Sequence, residues 1–194
     1  MCKAAQKVRQ QFLAFNCAFH GRTMGSLAFT ASKPVQKRGF FPMMGGVTHV
    51  PFPNPYRNAW NIDGYADPAE LTNRALEWIE TLFTTSLPPE DIAGIWLEPV
   101  QGEGGYVVPP PAFLQGLREL TKQHGIMLVL DEVQSGMGRT GKLFPTEHFG
   151  APADIVNIAK GLTPRPPPAA PPAPPAPPRP PPRPPAPPPP PPPS

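Results

Sequence analysis

The feature that most restricts this chain is its last stretch. From Pro164 to Ser194, 22 of 31 residues are proline, and the others are five alanines, three arginines and one serine. Proline has no N–H to donate and its ring fixes φ, so such a stretch forms neither a helix interior nor a sheet ladder. Extended, hydrated polyproline II is its physical default. The sequence therefore divides into a body of residues 1–163 and a low-complexity tail of residues 164–194, disordered or polyproline II. Of the 17 basic side chains three lie in this tail, which leaves 14 in the body to balance all 14 acidic ones. A nucleic-acid reading needs a basic patch on the body, and a neutral balance gives it no support, so nucleic acid is not an expected partner.

The two cysteines, Cys2 and Cys17, cannot build a disulfide framework, and there is no CxxC pair. No apolar run reaches the roughly 18 residues that would cross a membrane. The opening residues, MCKAAQKVRQQFLAFN, lack the apolar stretch and small-residue cleavage site of a signal peptide. The expectation is a reduced, soluble, cytoplasmic body with no membrane partner. Within the tail, Pro174 to Arg179 reads PxxPxR and Arg179 to Pro185 reads RxxPxxP, the patterns that SH3 domains bind. A tract this rich in proline meets such patterns by chance. One alternative is thus a non-catalytic fragment or interaction protein whose tail recruits SH3 or WW domains. Another is a gene end read in a shifted frame, since Pro, Ala and Arg all have codons built only from G and C.

The body alternates strand and helix patterns. Phe12 to Asn16 is a short apolar run that predicts a buried strand, and Thr23 to Ala31 suits a helix. Residues 32–65, rich in Pro, Gly and Asn, are expected to form one long ordered loop. Asp67-Pro68-Ala69-Glu70 then supplies an N-cap, a proline at N1 and an acid at N3. Leu71, Ala75, Trp78, Ile79 and Leu82 follow at helical spacing. Ile92 to Leu97 predicts a strand, and Pro111 opens a helix with Phe113, Leu114, Leu117 and Leu120 on one face and Gly125 past its end. Ile126 to Leu130 and Ile155 to Ala159 are further apolar strands. Continuous apolar strands separated by helices predict an α/β fold: a mainly parallel sheet covered on both faces.

Ile126 to Lys142 contains two misleading patterns. Gly136-Met-Gly138-Arg-Thr-Gly141 matches GxGxxG, but five residues separate it from the strand it would have to follow directly. Gly136 to Lys142 matches GxxxxGK, but Leu143 stands where a P-loop needs Ser or Thr for the metal. A third reading accounts for more residues. In open α/β sheets, ligands bind beyond the carboxyl ends of the strands. Those ends lead here to Phe19-His20, to Glu98 and Glu103, to Asp131, Val133 and Gln134, and to Lys160. An aromatic to stack on a ring, a carboxylate to hold a ring nitrogen protonated and a lysine to form an imine together suit pyridoxal 5′-phosphate.

At these residues the chain resembles the class III aminotransferases of the fold-type I pyridoxal-phosphate superfamily. The blocks are FHGRT (19–23), LEPVQGEGG (97–105), LDEVQSGMGRTGK (130–142) and DIVNIAKGL (154–162). The loop VPFPNPYR (50–57) is most similar to the 4-aminobutyrate aminotransferase branch. The resemblance implies a fragment of the large domain of a transaminase. The reaction implied moves an amino group from an ω-amino acid to a 2-oxo acid, in a homodimer. By the same resemblance Lys160 is the Schiff-base lysine, which has to shed its proton before it attacks a carbonyl. Asp131 pairs with the pyridinium nitrogen, Phe19 and Val133 face the two sides of the ring, and Gln134 bonds its phenolic oxygen. His20 belongs to the same block as Phe19. Glu103 is implied on the substrate side, paired in such enzymes with an arginine from a C-terminal region, and Glu98 is a supporting acid behind the site. Arg139 and Lys142 read as solvated charges. His49, His124 and His148 lack metal-ligand spacing, and no metal is expected. The family's phosphate-cradling turn would fall before Met1, and its second phosphate anchor after Leu162, where the polyproline begins.

Overall fold

A computed structural model describes residues 8–161, and the proline-rich segment with its SH3-type patterns lies outside those residues. Five strands form one sheet: β1 (Gln11–Phe15), β2 (Val47–Val50), β3 (Ile92–Leu97), β4 (Met127–Asp131) and β5 (Ile155–Asn157). Their order is β2-β1-β3-β4-β5, and every neighbouring pair is parallel. Four α-helices connect them: α1 (Met24–Phe29), α2 (Pro68–Thr85), α3 (Pro111–His124) and α4 (Thr146–Phe149). None of the described helices is long and apolar enough to cross a membrane.

Local chemistry accounts for the two long helices. Asp67 caps α2 by accepting the N–H of Glu70 at 2.9 Å, with Pro68 at the first helical position. On α3, Gly125 takes the left-handed conformation, φ 62°, that ends a helix without steric penalty. Both helices lie on one face of the sheet. Leu13 and Phe15 of β1, Ile95 and Leu97 of β3, and Leu128 and Leu130 of β4 pack there against Ala75 and Ile79 of α2 and Phe113, Leu114 and Leu117 of α3. The rings of Phe15 and Phe113 meet edge to face at 5.9 Å. Burying one such side chain stabilises the fold by about 1.5–3 kcal/mol.

The other face corrects the expectation of full cover. There Ala14 meets Ala28 and Phe29 of the six-residue α1, flanked by Phe12, Val47 and Trp96. Further along, Met127 is 43% exposed and Ile155 44%. A second correction concerns residues 32–65, expected as one loop. They include β2, whose Val47 lies opposite Phe12 of β1. With four residues, two of them polar, β2 carries too short a pattern to be seen without its partner strand. The short α4 was likewise not anticipated.

Candidate functional site

The order β2-β1-β3-β4-β5 reverses direction between β1 and β3, and such a switch point opens a crevice at the carboxyl end of the sheet. A pocket of about 110 Å³ lies there. It is lined by Phe19, His20 and Gly21 after β1, Glu98 and Glu103 after β3, Asp131, Val133 and Gln134 at and after β4, and Lys160 after β5. All eight residues to which the strand ends lead in sequence thus come together, from four segments far apart in the chain.

The loop after β1 is fixed from both sides. Cys17, at φ 65°, turns the chain out of the strand, and its N–H and the carbonyl of Ala18 bond Ala31 at the end of α1. Thr30, fully buried, accepts the N–H of His20 at 2.9 Å and donates to the carbonyl of Gly21 at 3.0 Å. Nothing in the residue pattern around Thr30 points to this role. His20 Nδ1 then stands 2.8 Å from Asp131 Oδ2, with side chains only 1% and 8% exposed. Asp131 Oδ1 accepts the N–H of Val133 at 3.1 Å, which turns the chain so that Val133 lines the pocket. His20 is therefore a direct partner of the carboxylate and more than a neighbour of Phe19. Its Nε2 is buried and has no partner among the described residues.

Glu98 is 3% exposed and accepts two backbone bonds, from Phe19 N–H at 2.9 Å and Gly102 N–H at 2.8 Å. Burial pushes its carboxyl above the usual carboxylate range, and these two bonds pull against that rise. Gly102 itself sits too close to Gln134 for any side chain, since a Cβ there would lie 2.8 Å from Gln134 Cγ. Lys160 Nζ donates to Gln134 Oε1, which links the ends of β4 and β5 across the pocket. Glu103 is half-exposed at the mouth, with Lys33 Nζ 3.7 Å from its Oε2. Arg139 and Lys142 do not line this pocket.

The lining fits a flat heteroaromatic ring: apolar walls at Phe19 and Val133, a carboxylate at Asp131, an amide at Gln134 and an amine at Lys160. It does not fit a phosphate. Three acids, Glu98, Glu103 and Asp131, line the pocket against Lys160 and His20, and no arginine is among them.

Comparison with known proteins agrees with this geometry. The aminotransferase class-III family matches residues 1–171. The alanine/serine racemase of Pyrococcus horikoshii is 44% identical over 155 residues, covering 79% of this chain and 33% of the racemase. An acetylornithine aminotransferase of Streptomyces clavuligerus is 44% identical over 154 residues, covering 79% and 32%. The 4-aminobutyrate aminotransferase of Escherichia coli is 41% identical over 162 residues, covering 84% and 35%. The chain thus spans about a third of the length of the curated relatives it matches. Among solved structures, an amine transaminase of an uncultivated Pseudomonas species in its PLP-bound form superposes with a TM-score of 0.74 at 34% identity, covering 79% of this chain and 33% of that one. An (S)-enantioselective omega-transaminase from Thermomicrobium roseum gives 0.72 at 37%, with the same coverage. With its parallel sheet, its four strand-end loops and its lysine in one pocket, the chain belongs to the class III aminotransferase family.

Proposed function

We propose that this chain is the ring-binding part of a pyridoxal 5′-phosphate-dependent transaminase that takes an amino group from an ω-amino acid, such as 4-aminobutyrate, and gives it to a 2-oxo acid. The observation that carries this is the convergence of Asp131, Gln134 and Lys160 on one pocket. When bound, pyridoxal phosphate supplies a carbonyl carbon for the amine and a protonated ring that withdraws electrons from it. The residues of this chain do the rest. Asp131, oriented by His20 and by the Val133 N–H, holds a proton on the ring nitrogen. Phe19 and Val133 would pack on the ring and exclude water from it. Gln134 accepts a hydrogen bond from Lys160 Nζ and so holds that amine at the pocket wall, where it would face the cofactor's carbonyl and, once deprotonated, could serve as nucleophile and proton carrier.

Glu103 and Lys33 place opposite charges at the mouth, where the distal group of a substrate would pass. The working unit in this reading is a homodimer. Tyr56, Tyr65 and Tyr106, each more than 70% exposed, border one open hollow of about 800 Å³, an aromatic surface that a second subunit would cover. The phosphate group would be held by residues outside the pocket lining described here. The test is the visible absorption of the purified chain after addition of pyridoxal phosphate and desalting, beside Lys160→Ala. A band kept by the wild type and lost in the variant is expected. A band absent from the wild type, or unchanged in the variant, refutes the assignment.

A further inference from the structure

Glu98 lies behind the reacting groups and touches none of them through a side chain. Its two oxygens accept the N–H of Phe19, 79 residues away, at 2.9 Å, and that of Gly102 at 2.8 Å. These two amides belong to different loops, Phe19 to the pocket-lining loop after β1 and Gly102 to the turn that leads to Glu103. We infer that Glu98 is the positioning residue of the ring pocket, a carboxylate clasp that holds these two loops at a fixed separation and lets go of one of them on protonation. The inference rests on the cofactor reading above.

The chemistry of the clasp is specific to an ionised carboxyl. The ionised form offers a strong acceptor on each oxygen, whereas protonation turns one of them into a hydroxyl, a weaker acceptor whose own O–H then needs a partner. A buried donor left without a partner is costly, so the loop on that side moves off. Glutamine has the same shape and likewise a donor, its NH₂, on one side at every pH. Glu98→Gln is therefore a permanent copy of the protonated state. Because burial raises the Glu98 carboxyl, the change falls above the ordinary carboxylate range. The other titratable groups around the pocket are His20, Asp131, Glu103 with its partner Lys33, and Lys160. All are present in both wild type and variant, so a pH effect on binding that does not act through Glu98 appears in both.

The experiment uses the full chain and pyridoxine 5′-phosphate, which has the ring but no carbonyl and so forms no bond to Lys160. Equilibrium dialysis at about pH 8 and about pH 3.5 reads the affinity on either side of the ordinary carboxylate values of about 3.9–4.3 and of the range just above them. The variant should bind about tenfold more weakly or worse at the higher pH, the loss expected for a charged hydrogen bond, and the two proteins should converge in acid. Equal binding at the higher pH overturns the inference. A deficit that persists undiminished in acid also overturns it, because that is loss of packing. No binding by the wild type overturns the cofactor reading itself, an outcome distinct from both. Should the variant fail to fold, amide exchange of the wild type decides. The Phe19 and Gly102 amides should lose protection in acid while that of Asn16, bonded to the Val50 carbonyl, keeps its own, and retained protection at the two loop amides overturns the clasp.

Discussion

Replacing Asp154 should detach β5, and with it Lys160, from the rest of the sheet. Its carboxylate accepts Arg118 Nη1 at 2.5 Å and Nη2 at 3.2 Å from α3, and the backbone N–H of Leu128 in β4 at 2.8 Å. The Arg118 side chain is 13% exposed and that of Asp154 30%. Alanine at 154 leaves the Leu128 N–H without an acceptor, a loss of about 1–3 kcal/mol. The ion pair, partly open to water and screened by it, adds no more than about 1 kcal/mol. Asp154→Ala should therefore destabilise by about 2–3 kcal/mol. Asp154→Asn keeps an oxygen for Leu128 and should lose only about 1 kcal/mol.

The sign of the pH dependence follows from Arg118, whose hydrogen bond holds the Asp154 carboxyl below its usual range. A carboxyl depressed in the folded state adds stability above its unfolded value and loses it as the pH falls through the folded value. The gap between wild type and Asp154→Asn should thus be full at neutral pH and close as the pH drops below 3.8, the ordinary value for this group. Urea unfolding followed by far-ultraviolet circular dichroism measures both. An alanine variant within about 0.5 kcal/mol of wild type would refute this account of β5. So would an asparagine gap that stays constant in acid.

Four further outcomes follow from the same geometry. Glu132 is 1% exposed and burial pushes its carboxyl up, so it adds stability only below its unfolded value and withdraws it as the pH rises through the folded one. Glu132→Gln, which keeps an acceptor for the Thr146 N–H, should be more stable than wild type by about 1 kcal/mol in mild alkali and equal to it in acid, as denaturation at both pH values will show. Gly64→Ala puts a Cβ 2.6 Å from the Pro55 backbone and should lose about 1–3 kcal/mol. Gly116→Ala, by contrast, meets only the flexible end of Leu76, and its gain in helix propensity of about 1 kcal/mol should leave denaturation midpoints nearly unchanged. His20→Phe removes the partner of Asp131 Oδ2 and should weaken retention of pyridoxal phosphate on desalting about tenfold or more, with unchanged circular dichroism.

Much of this architecture was legible because its signals are local. Ile92–Leu97 is a strand with the bounds its apolar run implies, and Asp67-Pro68 and Gly125 mark helix ends through bonds to residues within a few positions. The rule that ligands gather at strand ends was enough to bring Phe19, Asp131 and Lys160 together. Hidden features depend on partners elsewhere in the chain. β2 exists because Phe12 offers Val47 a ladder, and Thr48 and His49 give it no apolar pattern of its own. Thr30, ten residues from His20, and Glu98, 79 from Phe19, do their work through backbone amides, which leave no trace in side-chain type. The pairing of Lys33 with Glu103 is hidden because its two side chains come from distant segments of the chain.

The strand order also bears on how the molecule is made. Phe12 of β1 lies opposite Val47 on one side and Gly94 on the other, so the central ladders join segments far apart in sequence. Such pairings close large loops before they are rewarded, and sheets built from them fold slowly. The pocket draws on the ends of β1, β3, β4 and β5, so it exists only once the last of these strands has docked. A ring ligand would then find no site in the folding transition state and could not speed the chain's passage through it. Its stabilisation would show almost wholly as slower unfolding.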